Sequence, residues 1–131
     1  MTERTRANYV FVDIEEHLGE NRRELDVPWA DFVGDRSAEH TFEVPVETTI
    51  DPYIGVQAFD VGEYGHEIHV NGEALSGFDL PPAQRWQYWI DRITGAALHE
   101  GENTVSIARD TETSDGLVIG TLGVHWKEPI D

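Results

Sequence analysis

Cysteine is absent from the chain. Without thiols, the protein has no disulfides, no thiolate zinc site and no cysteine nucleophile. Long apolar runs are also missing, and no stretch approaches the roughly 20 apolar residues needed to span a bilayer. The opening residues, MTERTRANYV, lack the apolar core of a signal peptide. These absences predict a protein with no membrane segment, located in the cytoplasm or carried within an assembled particle.

Positive charge is scarce. The chain has 26 Asp and Glu against nine Lys and Arg, Lys127 is its only lysine, and the formal net charge is −17. A carboxylate surface keeps a protein hydrated where molar salt shortens the screening length to about 3 Å. This acidic composition is typical of halophilic archaea that accumulate salt, so the sequence predicts a salt-adapted, halophilic protein. It argues against a nucleic-acid partner, because binding phosphates requires cationic side chains.

The 131 residues have the length of one domain, predicted to span 1–131. Period-two alternation of apolar residues predicts short strands, and two helical turns are expected, one from Asp26 to Gly34 and one from Asp91 to His99. Trp29, in the first turn, is expected to close one end of the core. The predicted strands are Asn8 to Ile14, His40 to Val46, Tyr53 to Val61, His66 to Asn71, Trp86 to Ile90, Asn103 to Arg109 and Leu117 to Trp126. The fold class is therefore all-β, an antiparallel jelly-roll-like β-sandwich of about seven or eight strands with one or two short helical turns.

The stretch from Tyr64 to Ile107 contains a VNG turn, an aromatic segment and the sequence EGENTVSI. This pattern resembles the galactose-binding-like β-sandwich modules, the jelly-roll accessory domains attached to many glycoside hydrolases. The resemblance implies binding of a carbohydrate or another small ligand by loops at one end of the sandwich, often beside a structural calcium ion. The whole chain also looks like one of the small uncharacterised families of halophilic archaea. The signature residues Asn71, Gly72, Gly101 and Asn103 are turn formers and need no ligand to explain them.

Aromatic residues crowd the middle of the chain. The apolar face of a sugar stacks on such rings, while nearby charged side chains bind its hydroxyl groups. Alternatively, rings in a small sandwich belong to the core. An exposed cluster would also suit a protein contact. The predicted ligand-binding or partner-binding residues are Tyr64, Phe78, Asp79, Trp86, Tyr88, Trp89 and Arg92, with the site centred on the stretch from Leu75 to Trp89.

Candidate metal ligands occur in an acidic turn and among the histidines. Asp110, Glu112 and Asp115 share one acidic turn and are weak candidate calcium ligands, because a solvated turn is the better explanation in a chain this acidic. His66 and His69 fall on opposite faces of a predicted strand, so they do not share a metal ion. His125 could join His69 from a neighbouring strand, but no third ligand with zinc spacing is evident.

The sequence contains no catalytic motif that would indicate an enzyme. The sequence has no serine-nucleophile elbow and no phosphate-binding glycine loop, and a glycosidase pair cannot be singled out among 26 carboxylates. The predicted function is a non-catalytic interaction or structural module that docks through an aromatic loop patch or a sheet edge into a homo-oligomer or larger assembly. The alternative is carbohydrate or small-ligand binding by loops at one end of the sandwich. No cofactor is predicted beyond a structural calcium ion.

Overall fold

The computed structural model describes residues 4–130, so the predicted domain of 1–131 includes residues 1–3 and 131, which lie outside the described residues. Within this range the chain forms nine strands and one short 3-10 helix, Arg22–Glu24. The strands are β1 (Thr5–Leu18), β2 (Asp31–Gly34), β3 (His40–Val44), β4 (Ile50–Val61), β5 (Glu67–Val70), β6 (Glu73–Ala74), β7 (Ala83–Arg92), β8 (Gly101–Ala108) and β9 (Leu117–Pro129). None of the helical structure between residues 4 and 130 is long and apolar enough to cross a membrane.

The strands form two sheets. The five-stranded sheet has the order β2-β1-β9-β4-β7, and the four-stranded sheet has the order β3-β8-β5-β6. Neighbouring strands are antiparallel except β1 and β2, which are parallel. The antiparallel, all-β sandwich predicted from the alternating sequence is confirmed, with β2 as a short parallel addition at one edge.

The core lies between the two sheets. Alternate residues of the strands point inward, because successive side chains of a strand face opposite sides of its sheet. The buried members from the five-stranded sheet include Val12, Ile14, Ile54, Val56, Ala58, Leu122, Val124 and Trp126, and those from the four-stranded sheet include Phe42, Val44, Ile68, Val70, Val105 and Ile107. This leaves the outer face of each sheet free to carry other functions.

The Asn-Gly turn between β5 and β6 forms as predicted, with φ of +52° at Asn71 and +81° at Gly72. The amide of Asn71 also holds the neighbouring strand, since its Oδ1 accepts from the backbone N–H of Thr104 at 2.9 Å. Its Nδ2 donates to Oδ1 of the fully buried Asn103 at 2.9 Å. These two asparagines fix the registration of β5 against β8, so their role is structural.

Both predicted helical turns are wrong. The backbone N–H of Ala30 donates to the carbonyl of Val27, so Pro28 occupies the second position of a β-turn, where its fixed φ is equally favourable. Trp29 is exposed on this turn instead of closing the core. The second predicted turn is replaced by the continuation of β7 to Arg92 and an irregular segment, 93–100, whose first N–H, from Ile93, donates to the carbonyl of Pro52.

Candidate functional site

The outer face of the five-stranded sheet carries most of the exposed aromatic side chains of the protein. The inward positions of β1, β4 and β9 are apolar, and the alternate positions hold rings that face away from the core. We call this surface the aromatic face, defined by Tyr9, Phe11, Trp29, Tyr53, Phe59, Trp86, Tyr88, Ile90 and His125. Large contiguous apolar patches are rare on the surfaces of soluble proteins, and those that do occur usually mark binding surfaces.

Three rings form a row across β1, β9 and β4. The register places Tyr9 opposite His125 and His125 opposite Tyr53. The His125 ring stacks on Tyr53 with centroids 4.6 Å apart and planes within 1° of parallel, and it lies 5.9 Å from the Tyr9 ring. Burial lowers the pKa of His125 below its usual 6.5, so the imidazole is neutral at pH 7. The row is therefore an uncharged aromatic surface.

The next row has no side chains at its centre, since Gly55 pairs with Gly123. The Tyr88 side chain fills this gap. A Cβ on Gly55 would overlap the Tyr88 ring, and one on Gly123 would lie 3.0 Å from the Tyr88 hydroxyl and 2.9 Å from the Phe11 ring. Burial, together with the neighbouring Tyr53, raises the pKa of Tyr88, so its hydroxyl stays protonated and can donate a hydrogen bond. The glycines are therefore needed for the position of Tyr88.

These rows enclose a cleft of about 470 Å³, which we call the aromatic cleft. It is lined by Phe11, Tyr53, Gln57, Tyr88, Ile90, Thr121 and His125. The volume lies within the range of small-ligand sites, which combine apolar walls with a few polar groups. The lining includes hydroxyl, amide and imidazole groups, and none of these seven residues is charged at pH 7. A ligand of neutral hydroxyl groups and apolar faces matches this chemistry.

A second group of rings lies further along the face. Trp29, Phe59 and Trp86 have centroids 5.1 to 6.2 Å apart. Trp86 packs over Gly120, whose added Cβ would lie 3.1 Å from the indole ring. Trp86 is 44% exposed, so one side of the indole contacts the sheet while the other remains accessible.

The predicted site residues separate into several places. Trp86, Tyr88 and Arg92 alternate along the outward side of β7 and come together on or beside the aromatic face. Trp89 alternates to the opposite side of this edge strand. Tyr64 is exposed in the loop after β4, and Asp79 is exposed in the segment before β7, away from the aromatic cleft.

One predicted contact residue is buried. Phe78 is only 7% exposed and belongs to the core cluster with Leu75 and Leu80, and the segment 75–82 connects β6, at the edge of one sheet, to β7, at the edge of the other. For Phe78 the structure therefore favours the alternative that the ring belongs to the core. The stretch from Leu75 to Trp89 is not a single binding loop, since its second half is strand β7.

Sequence reasoning missed Tyr9, Phe11, Tyr53 and His125 as members of a site. Their local signal was available, because each alternates with buried residues of its strand. What the sequence does not reveal is the strand order β1-β9-β4-β7, which places residues more than 110 positions apart side by side, as in the Tyr9 and His125 pair.

The loops at one end of the sandwich form a different cleft, of about 640 Å³. Its lining consists of Glu24, Leu25, Asp60, Val61, Gly62, Pro82, Ala83, Gln84, Ser114, Asp115 and Gly116. These residues include three carboxylates and no aromatic ring. The lining of this cleft therefore offers no ring on which a sugar could stack, in contrast to the aromatic face.

The acidic turn between β8 and β9 is already occupied by donors from the chain. Asp115 accepts from Nε2 of the buried His66 at 2.7 Å and from the backbone N–H groups of Gly62 and Glu63. Because Nδ1 of His66 accepts from the N–H of Asp110 at 2.9 Å, the ring proton is on Nε2.

The same turn is closed by a buried guanidinium. Arg109 donates to the carbonyls of Thr113 at 2.8 Å and Asp110 at 3.3 Å, and its Nε donates to Asp35 at 2.9 Å. In the part of the chain from Arg4 to Ile130, no group of three or more His, Asp or Glu residues has an arrangement that could hold a metal ion. Arg109 thus supplies positive charge to the carbonyl oxygens of Asp110 and Thr113 in this turn.

The pairing of His69 with His125, for which the sequence offered no third ligand, does not occur in the structure. His69 lies on β5 of the four-stranded sheet and contacts Glu67 at 3.1 Å, whereas His125 lies on β9 in the other sheet. The two imidazoles therefore face opposite sides of the sandwich and cannot share a metal ion.

Comparison with known proteins places this arrangement in context. The sequence matches DUF7383, described as a family of unknown function, over residues 6–128. No curated protein matches the chain in sequence.

Several solved structures share the fold. The CBM36-1 domain of a multidomain xylanase from the hindgut metagenome of Trinervitermes trinervoides has a TM-score of 0.57 at 10% identity, covering 89% of this chain and 96% of that one. The CBM35 module of Cellvibrio japonicus Abf62 has a TM-score of 0.53 at 12% identity, with 89% and 92% covered. A CBM36 carbohydrate-binding module in complex with calcium and xylotriose has a TM-score of 0.50 at 8% identity, with 86% and 97% covered. At these identities the likeness shows the fold, and the predicted jelly-roll β-sandwich is confirmed.

Proposed function

The chain belongs to the DUF7383 family, and we propose that it is a non-catalytic carbohydrate-binding module whose ligand lies on the aromatic face. The observation that carries the proposal is the aromatic cleft itself, whose lining combines the accessible rings of Phe11, Tyr53 and Tyr88 with the Tyr88 hydroxyl. Sugar rings have apolar faces that stack on aromatic side chains and hydroxyl groups that bond to polar ones. The cleft offers both.

The fold gives this proposal independent support. Structures that match the chain over most of their length are carbohydrate-binding modules, and one of them was solved with xylotriose. A fold alone does not determine a function, so the proposal depends on the residues of the aromatic cleft. The aromatic face is preferred to the loop-end cleft because the loop-end cleft is lined by carboxylates and contains no ring.

The direct test is titration of the protein with a panel of neutral oligosaccharides, beginning with xylotriose, by calorimetry. We expect Tyr88→Ala and Trp86→Ala to weaken binding about thirtyfold each, because a central aromatic contact commonly contributes about 2 kcal/mol. Tyr64→Ala is the matched control, since Tyr64 is equally exposed but lies in a loop away from the aromatic face. Binding that survives both strand substitutions, or that is lost with Tyr64→Ala, would contradict the proposed location.

The proposed binding does not depend on calcium, because no carboxylate lines the aromatic cleft. We expect the same affinity in excess chelator and in millimolar calcium. A calcium-dependent affinity would instead favour the acidic turn of Asp110, Glu112 and Asp115, or the loop-end cleft, as the ligand site.

Docking into an oligomer or larger assembly is the second candidate. It is favoured by the exposure of Phe11 and of Ile90, an aliphatic side chain that a sugar does not require, on the same face. Light scattering in molar potassium chloride tests it. A dimer that Ile90→Asp converts to a monomer would support docking through this face, whereas a monomer at every protein concentration would exclude self-association.

A further inference from the structure

A second cleft adjoins the aromatic cleft and shares two of its walls. It has a volume of about 540 Å³ and is lined by Asp51, Tyr53, Ile90, Asp91, Arg92 and Lys127. Tyr53 and Ile90 also line the aromatic cleft, so the two clefts lie on either side of them. We call the second one the polar cleft.

The polar cleft holds two of the nine cationic side chains of this acidic protein. Within residues 4–130, neither Arg92 nor Lys127 takes part in an ion pair, although carboxylates outnumber cations almost threefold. The same cleft holds Asp51, which has a positive φ of +49° at a bulge of β4, and Asp91, whose Oδ1 accepts the backbone N–H of Arg92 at 2.8 Å. The cleft therefore combines strong donors with strong acceptors and has no net charge.

This combination suits hydroxyl groups better than a charged ligand. Neighbouring hydroxyls of a sugar donate to carboxylates and accept from ammonium and guanidinium groups, so both signs of charge are used. An anionic sugar would meet Asp51, Asp91 and the field of a protein with net charge −17. The electrostatics therefore favour an uncharged ligand.

The two clefts follow the strand direction. From Trp86 to Arg92 is six residues along β7, which is about 20 Å at roughly 3.3 Å per residue. Both clefts are open to solvent, so they would not enclose the end of a chain. A surface of this length can contact several consecutive sugar rings.

Building on the carbohydrate-binding role proposed above, we propose that the polar cleft is a hydroxyl-binding subsite, and that the ligand is an internal stretch of an uncharged oligosaccharide. Consecutive sugar residues would lie on either side of Tyr53. One residue stacks in the aromatic cleft, and the hydroxyl groups of the next bind Arg92, Lys127, Asp51 and Asp91.

The test uses calorimetric titration of the full chain with xylo-oligosaccharides from the monosaccharide to the hexasaccharide, each also with its reducing end converted to the alditol. We expect affinity to rise at least tenfold from the monosaccharide to the tetrasaccharide and then level off. Reduction of the end should leave the affinity of the longer chains unchanged, since internal residues make the contacts.

Variants separate the subsite from the aromatic cleft. Lys127→Gln and Arg92→Gln should each weaken binding of the tetrasaccharide about tenfold while leaving monosaccharide binding unchanged. Arg85→Gln is the matched control, because Arg85 is exposed on the same strand but lines neither cleft. Oligosaccharides that carry uronic acids should bind more weakly than neutral ones of the same length.

The outcomes distinguish the two proposals. If binding depends on Tyr88 but is the same for the monosaccharide and the tetrasaccharide, or is unchanged by Lys127→Gln and Arg92→Gln, the polar subsite is wrong and the carbohydrate-binding role stands. Stronger binding of uronic-acid oligosaccharides would overturn the inference of an uncharged ligand. Absence of binding to every oligosaccharide in the panel would overturn both.

Discussion

A single buried carboxylate, Glu128, holds the end of β9 in place. Its oxygens accept from Nε1 of the core Trp126 at 2.9 Å, from Nε of Arg6 at 2.7 Å and from Nδ2 of Asn8 at 3.4 Å. The hydrogen bonds from Trp126 and Arg6 hold the pKa of Glu128 below its usual 4.5, although its burial acts in the opposite direction. The ionised form is therefore the one that the fold stabilises.

This arrangement predicts how stability depends on pH. Because the folded pKa is lower than the unfolded value, the contribution of Glu128 is fully present above pH 4.5 and is lost as the pH falls through the folded pKa. Glu128→Gln should be less stable at pH 7 and should show a shallower decline in melting temperature below pH 4.5. Thermal unfolding from pH 3 to pH 7 measures this, with the exposed Glu43→Gln as control. Parallel declines in the wild type and Glu128→Gln would contradict the assignment.

Within the strands, the close approach of Tyr88 to Gly55 gives a sharper test of the aromatic cleft. Gly55 does not have a positive φ, so alanine fits its backbone, but the added Cβ must displace the Tyr88 ring. Gly55→Ala should fold normally and bind the ligand more weakly. In a Tyr88→Ala background, the same substitution should have no further effect on binding, because the displaced group is gone. Additive losses in the double variant would show that Gly55 acts through something other than Tyr88.

The acidic turn between β8 and β9 is held together by Arg109, whose guanidinium donates to the carbonyl oxygens of the turn as a bound cation would. Arg109→Met keeps the buried stem but removes the guanidinium from Asp35 and from the carbonyl oxygens of the turn. We expect a loss of about 2–3 kcal/mol of unfolding free energy, the usual contribution of charged hydrogen bonds. The exposed Arg36→Met is the control. Denaturant unfolding measures the loss, and an Arg109→Met variant as stable as the wild type would contradict the role given to Arg109.

Most of the strands and the Asn-Gly turn could be predicted because their signals are local. Alternation placed Val10 and Val12 inward, and the Asn71 and Gly72 pair encodes a hairpin turn by its tolerance of positive φ. The helical turn predicted after Asp26 was wrong because Pro28 favours the second position of a β-turn as well as the first turn of a helix.

The site was only partly predictable, because it depends on which strands are neighbours. Trp86, Tyr88 and Arg92 are predicted binding residues that lie together on β7, although Arg92 is expected from the sequence in a helical turn, and their use in binding stays a prediction. Their companions Tyr9 and His125 come from opposite ends of the sequence and meet only in the order β1-β9-β4-β7. A contact between residues so far apart in the chain leaves no local pattern in the sequence.

For the molecule as a whole, the distribution of charge matters more than any one contact. The net charge is −17, and two ion pairs of arginine with carboxylates, Arg6 with Glu128 and Arg109 with Asp35, are present among the described residues. Most carboxylates therefore repel one another across the surface. The aromatic face is the exception, since its cleft is uncharged, and this contrast makes it the surface where a neutral ligand is least disturbed by the field.

The same repulsion predicts a strong dependence of folding on salt. The screening length is about 3 Å in molar salt and about 30 Å at 10 mM, so removing salt lets distant carboxylates act on one another and favours the expanded chain. Circular dichroism should show a lower melting temperature, or partial unfolding, at millimolar potassium chloride. The difference between low and high salt should shrink as the pH approaches the sequence pI of about 4.5, where protonation removes charge. Sucrose at matched osmolality should restore less stability than salt, since it does not screen charge. Equal melting temperatures in molar and millimolar salt would refute the salt-adapted interpretation, because repulsion among this many carboxylates cannot be independent of screening.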